Sequence, residues 1–286
     1  MSRGSSSAGR LSRVSPDLVP HLLRLAGGDG PVTVLKDTKV LVLRVGELVV
    51  KAHPAGADEK ALRARLAVRL PGLMLAPLKI DRVGDRLVSV WPAGIPLTPD
   101  DLEEPPWEAG GRLLARLHAQ PVPPGLPAMG GQDRVHRAVA PLEEGHVIRQ
   151  AYRTLDLAPR GNRLVHGDWH LGQLVRFPSG WLLIDPDDLG YGEQVWDLAR
   201  PAAWYASGLV SGAEWERFLG AYLAEGGTAV TPEDPWRELD GPARALTVQL
   251  AAIAVTTARR EGNTLDEAAE ALVSSCERIL ATPPTS

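Results

Sequence analysis

Leu164-Val165-His166-Gly167-Asp168-Trp169-His170-Leu171-Gly172-Gln173-Leu174-Val175, followed by Trp181-Leu182-Leu183-Ile184-Asp185-Pro186-Asp187-Asp188, is the stretch on which the reading of this chain turns. Two apolar runs each end by delivering an acid, Asp168 and Asp185. Such short runs of Leu, Val and Ile predict β-strands. A strand end fixes its side chain while the adjoining loop leaves room for a ligand. Gln173 follows Asp168 by five residues. One carboxylate to take a proton, with a carboxylate and an amide oxygen to hold a hard cation, is the set that metal-assisted phosphoryl transfer needs.

Upstream of this island the period is two. Residues 32–35, 40–44 and 48–51 predict three strands, the second and third joined at Gly46-Glu47. Residues 58–70, rich in Ala, Leu and Arg, predict a helix. Residues 78–80 and 86–90 predict a further hairpin around Gly84-Asp85. The turns are too short for parallel crossovers, so the sheet is expected to be antiparallel. Trp91-Pro92-Ala93-Gly94-Ile95-Pro96 breaks the periodicity and predicts a linker. Beyond it helices dominate, at 107–119, 134–157, 195–206, 213–224, 235–260 and 265–280. The last opens on Thr264 with Glu267 three residues later, the pattern of a capping box. At the other end, residues 1–13 are Ser-, Gly- and Arg-rich and predict a disordered leader. Ser15-Pro16-Asp17 then predicts a helix start.

These residues resemble the aminoglycoside phosphotransferase family, relatives of the protein kinases. The family pattern of His-x-Asp, four residues, Asn, then Ile-Asp is matched by His166-x-Asp168, Gln173 and Ile184-Asp185. Val49-Val50-Lys51 resembles the family's nucleotide lysine on the third strand, and Trp91-Pro92-Ala93-Gly94 its hinge. Leu113 to His118 resembles the first helix of its larger lobe, and Trp196-Asp197-Leu198-Ala199 the helix start after its metal loop. Order and spacing together, over roughly residues 32–206, make the resemblance specific. It implies an α+β, bilobal protein-kinase-like fold. Residues 14–90 would form a nucleotide-binding lobe of five antiparallel strands plus a helix, and 91–97 the hinge. Residues 98–286 would form a mostly helical lobe whose short β island carries the catalytic and metal loops.

The resemblance also implies roles. Asp168 would orient a substrate hydroxyl and accept its proton. Asp185 and Gln173 would ligate Mg²⁺ on the phosphates of ATP or GTP. Lys51 would neutralise the inner phosphates, with Thr38 of the 36–39 turn near them and Trp91 available to stack on the base. His170, Asp187 and Asp188 are candidates for contact with the acceptor. His166 and Asp197 are expected to support the loop rather than react. Three departures stand out: Gln173 replaces Asn, the 36–39 turn has no glycine, and only Asp58 and Glu59 are available as acids for Lys51.

Composition bounds the alternatives. The single cysteine, Cys276, excludes an internal disulfide, and no apolar run is long enough for a membrane span. A cytoplasmic protein is expected. The net charge of −4 gives no basic footprint for nucleic acid. That sum conceals a division: residues 1–98 carry +7 and residues 99–286 carry −11. A cationic smaller part suits a nucleotide, and an acidic larger part suits a small cationic acceptor such as an aminoglycoside or a basic peptide antibiotic. No obligate protein partner is called for. A metabolic small-molecule kinase is the near alternative. A nucleotide-binding pseudokinase is a second, and a metal-dependent hydrolase built on His166, Asp168, His170 and Asp185 a third.

Overall fold

The computed structural model describes residues 18–27, 30–98, 101 and 103–282. The leader at 1–13 and the helix start at Ser15-Pro16-Asp17 lie outside the described residues. The chain divides into two compact units, which adjoin in sequence between Ile95 and Pro96.

The first unit opens with α1 (Leu18–Ala26) and continues with β1 (Val32–Asp37), β2 (Leu41–Val45), β3 (Leu48–Ala52), α2 (Glu59–Leu66), β4 (Lys79–Val83) and β5 (Arg86–Pro92). A two-residue strand, β6 (Ile95–Pro96), sits at the division. The sheet has the order β1-β2-β3-β5-β4, and its neighbours are antiparallel throughout. Period-two alternation separates its faces. Leu41, Leu43, Val45, Val50, Ala52, Val88 and Val90 bury one face against Leu18 and Leu22 of α1. Leu87 and Trp91, of opposite parity to Val88 and Val90, cluster with Leu62 and Leu66 of α2. Asp58 caps α2, its carboxylate accepting from the Ala61 N–H at 3.0 Å.

The second unit contains α3 (Trp107–His118), α4 (Gly131–Val139), α5 (Val147–Tyr152), β7 (Arg163–Val165), β8 (Leu174–Phe177), β9 (Gly180–Leu183) and β10 (Gly190–Gly192). Four helices follow: α6 (Val195–Ala206), α7 (Gly212–Ala224), α8 (Trp236–Glu261) and α9 (Glu267–Ala281). α8 is the spine of its core. Ala245, Leu246, Val248, Ala251 and Ala252 cluster with Val135 and Val139 of α4, Ala199 and Ala203 of α6, and Leu272 and Cys276 of α9. α3 packs on α7, with Trp107 edge-on to Phe218 at 5.8 Å.

Three sequence expectations are corrected. The single helix at 134–157 is two helices, because Pro141 and Gly145 fall in the 140–146 connection, where proline lacks the N–H a continuous helix needs. The last helix is capped by Asp266, which accepts from the Ala269 N–H at 2.8 Å, and not by Thr264. The linker begins later than Trp91, since β5 runs through Trp91 and Pro92. Among the described residues no helix is long and apolar enough to cross a membrane.

Candidate active site

β7 and β8 flank a loop that carries His166, Asp168, His170 and Gln173, and β9 leads into Asp185. Five interactions set this backbone and its support. The buried Asp197 carboxylate, on the first turn of α6, accepts the N–H of His166 at 2.6 Å and of Gly167 at 2.8 Å. Its Oδ2 also lies 3.1 Å from Nε2 of buried His118 on α3. His166, itself buried, places Nε2 2.8 Å from the Ile184 carbonyl and so ties the first loop to the second. The Ile184 N–H in turn donates to the Gln173 carbonyl at 2.9 Å, which seats Gln173 across the hairpin from the residue before Asp185. Gly167 has φ +82, and a Cβ there would meet the Asp188 carbonyl oxygen at 2.3 Å, so glycine alone fits this crossing.

Trp169 anchors the loop from the far side of Asp168. It is 1% exposed, stacks on Phe218 with centroids 4.9 Å apart, and fills the space left by Gly110 of α3. A Cβ on Gly110 would come within 2.6 Å of its ring, which accounts for a glycine inside a helix where it costs about 0.5–1 kcal/mol. Asp168, next in the chain, is held between two arginines. Arg134 of α4 reaches its Oδ2 at 2.7 Å, and Arg200 of α6 pairs with Oδ1. The same Arg134 Nη1 reaches Asp188 Oδ2 at 2.6 Å. Burial pushes the Asp168 carboxyl above the usual range; Arg200 and Arg134 oppose that shift, and the Asp188 charge adds to it.

Asp185 is the one non-glycine residue at positive φ among the described residues, at φ 61 and ψ 64. A left-handed Asp costs of order 1–3 kcal/mol and persists where the surroundings impose it, most often at functional sites. Gln173, 6% exposed, and Asp185 supply an amide and a carboxylate within adjoining turns. Such hard oxygen donors, few in number, fit Mg²⁺, which keeps several waters and shares its coordination with substrate phosphates. Asp185→Gly is expected to abolish any metal-supported activity while raising the melting temperature by a few degrees, because glycine relieves the backbone strain. Thermal melts beside activity at saturating Mg²⁺ check this; a lower melting temperature would show that the contacts of the Asp185 carboxylate outweigh the backbone strain.

The remaining expected residues fall as follows. Asp188 bonds Arg134, and Asp187 lies half-buried in the short 3₁₀ turn Pro186–Asp188. His170 caps the turn Leu171–Gln173, its Nδ1 accepting from the Gly172 N–H at 3.1 Å. Among the described residues no group of three or more His, Cys, Asp or Glu is placed to hold a metal, so the four-ligand hydrolase site is not assembled. Lys51, Thr38 and Trp91 belong to the first unit. Lys51 is half-buried on β3, in register with Val42 and Ser89. Thr38 is exposed in the β1–β2 turn, where its Oγ accepts from the Val40 N–H at 3.4 Å. Trp91 is 7% exposed with its indole N–H on Ser89 Oγ at 2.9 Å, so it is a core residue and offers no open face to a base. Glu59 pairs with Arg63 at 2.8 Å and Arg82 at 3.0 Å.

Sequence reasoning missed Arg134, Arg200 and Gln249. A signal existed for Arg200: it lies three residues beyond Asp197, one helical turn away on the same face of α6. For Arg134 and Gln249 there was none, since α4 and α8 reach the loop only through the tertiary fold.

Residues 22–241 match the model of the phosphotransferase enzyme family. The chain belongs to that family. Solved structures agree on the fold of this phosphotransferase. A choline/ethanolamine kinase family protein from Mesorhizobium loti is 17% identical with a TM-score of 0.60, over 93% of this chain and 95% of its own. An amicoumacin kinase in complex with AMP-PNP, Ca²⁺ and Ami is 16% identical with a TM-score of 0.59, over 94% of each chain. An aminoglycoside phosphotransferase from Streptomyces rimosus in complex with ADP and streptomycin is 20% identical with a TM-score of 0.55, over 80% of this chain and 98% of its own. No curated protein matches the phosphotransferase. The α+β kinase-like fold, with its five-stranded antiparallel sheet and helical larger part, is the one the sequence implied.

Proposed function

We propose that this phosphotransferase moves the γ-phosphoryl group of ATP or GTP to a hydroxyl of a small cationic molecule, an antibiotic or a metabolite. The observation that carries the reading is the loop that presents Asp168, pinned by Asp197 and tied by His166 to the strand that delivers Asp185. In the reaction the acceptor oxygen bonds to the γ-phosphorus, the bond from that phosphorus to the β,γ-bridging oxygen breaks, and the hydroxyl proton passes to Asp168. Mg²⁺ on Asp185 and Gln173 would supply charge stabilisation at the phosphates. Lys51 takes the inner phosphates by the family pattern. The cationic character of the acceptor rests on the −11 balance of residues 99–286. Incubation with Mg²⁺, ATP or GTP and a panel of amines, amino alcohols, hydroxy acids and antibiotics tests the reading, with the phosphate mass shift as readout.

One observation favours a second reading. Both oxygens of Asp168 are engaged by arginine, which suits a nucleotide-binding module that transfers nothing. That reading predicts a thermal shift with nucleotide and no mass shift on any acceptor.

The pH profile offers a further check. The Asp168 pKa is raised by burial, so the form able to accept a proton is lost, as pH falls, at a higher pH than for an exposed aspartate near about 3.9. The acid limb of kcat/KM is therefore expected above that value. Arg200 lowers the Asp168 pKa, so Arg200→Gln is expected to move the limb higher still. A limb that stays put in Arg200→Gln argues that another group titrates.

A further inference from the structure

The closed space beside Asp168, between Trp169, Arg200 and Gln249, measures about 10 Å³ and holds a single water at most. No acceptor fits there. Of the two arginines on Asp168, Arg134 is the one that opens to solvent, its side chain 30% exposed against 11% for Arg200. Its Nη1 lies 2.7 Å from Asp168 Oδ2 and 2.6 Å from Asp188 Oδ2. Among the described residues nothing bonds its Nε or Nη2. Arginine suits carboxylates through its planar fork, which makes two parallel N–H bonds. Here the fork is idle and one nitrogen serves two carboxylates, a task that a compact ammonium performs equally well.

Charge decides what can replace it. Asp168 and Asp188, with side chains 12% and 14% exposed, face Arg134 and Arg200, two charges of each sign. Taking Arg134 away leaves one largely buried carboxylate uncompensated, which is costly. A neutral polyol leaves that charge in place and an anion adds to it, whereas an N–H-bearing cation restores the balance. A quaternary ammonium brings the charge but no hydrogen for either oxygen. Because one nitrogen reaches both oxygens, the two donors that take over from it must be near neighbours, as a hydroxyl and an ammonium on adjacent carbons are.

Resting on the kinase reading above, we propose that Arg134 stands where the acceptor's cation goes, and that the acceptor is a vicinal amino alcohol that displaces it, its hydroxyl on Asp168 Oδ2 and its ammonium on Asp188 Oδ2. The guanidinium then turns out to solvent. Asp168 is released to take a proton only when a second cation has replaced the first, and Asp188 is the residue that selects the ammonium.

The test is ¹³C NMR on the full chain labelled at its aspartate carboxyl carbons, at neutral pH and fixed ionic strength, without nucleotide. The reporters are Asp168 and Asp188, assigned by their loss in Asp168→Asn and Asp188→Asn. The probes are 2-aminoethanol, ethane-1,2-diol and choline. In the parent protein 2-aminoethanol is expected to move both resonances saturably, and the other two to leave them in place at the same concentration. Arg134→Ala removes the competitor and is expected to tighten 2-aminoethanol by about tenfold or more. In Asp188→Asn the preference for 2-aminoethanol over the diol, read at Asp168, is expected to disappear. An affinity unchanged or weakened in Arg134→Ala overturns the proposal, as does an equal response to choline or the diol in the parent. The parent titrations decide the matter even where Arg134→Ala does not fold. The two readings fail separately. If 2-aminoethanol binds as expected and no amino alcohol takes phosphate, the kinase reading sinks and the displacement stands. Transfer to neutral acceptors alone, with no 2-aminoethanol shift, sinks the displacement and leaves the kinase.

Discussion

Asp168→Asn is expected to lower turnover on any acceptor that takes phosphate by about 10²–10⁴-fold, the usual worth of a positioned general base. Asparagine keeps the shape of the side chain and can still meet one arginine, but it takes no proton at working pH. The nucleotide-dependent thermal shift should survive, because Asp168 touches the acceptor rather than the phosphates in the proposed reaction. Turnover and thermal shift on the same preparation separate lost chemistry from lost folding. Full turnover in Asp168→Asn would remove Asp168 from the role of base. Loss of the nucleotide shift would show instead that the arginine pairs with Arg134 and Arg200 hold the fold.

The second large effect is structural. Asp197 is fully buried and its carboxylate serves His166 N–H, Gly167 N–H and His118. Asp197→Ala would leave one buried and one partly buried backbone donor unpaired, each at about 1–3 kcal/mol, for a total of about 2–6 kcal/mol. It would also free the loop that carries Asp168. Urea unfolding is expected to show a lower midpoint with an unchanged slope, and activity is expected to fall further than the fraction unfolded explains. Asp197→Asn should fall between, since the amide oxygen can accept one N–H while its NH₂ faces donors. An unfolding free energy within about 1 kcal/mol of the parent protein in Asp197→Ala would mean that His118 or water takes over both N–H groups.

Much of the fold was legible because the physical signals are local. The period-two runs of the first unit carry their own face assignment, and Gly46 and Gly84 mark its tight turns at positive φ. That Asp168, Gln173 and Asp185 fall on neighbouring turns between short strands was legible because all three lie within eighteen residues. Other features were not. The break between α4 and α5 depends on Pro141 and Gly145, which an apolar periodicity carries across unnoticed. β10 consists of Gly190, Tyr191 and Gly192, without the β-branched residues that announce a strand, yet it pairs with β7 in register Gly190 to Val165. Trp91 looked available to a base because its neighbours read as linker; its place on β5 turns it into the α2-side core instead.

The order of the five strands of the first unit, the acids that follow the two short apolar runs and the charge division between +7 and −11 were all determined by the sequence alone, because each depends on residues near in the chain or on simple counting. What surrounds Asp168 was decided by tertiary structure alone. Arg134 arrives from α4, Arg200 from α6 and Gln249 from α8, elements brought to one place by burial of apolar faces that carry no record of these polar side chains. The same is true of the left-handed backbone at Asp185, which no local residue pattern announces. A pattern of residues can state which chemistry is intended; the environment that tunes an acid or chooses its ligand is a sum over distant contacts, and it exists only once the chain has folded.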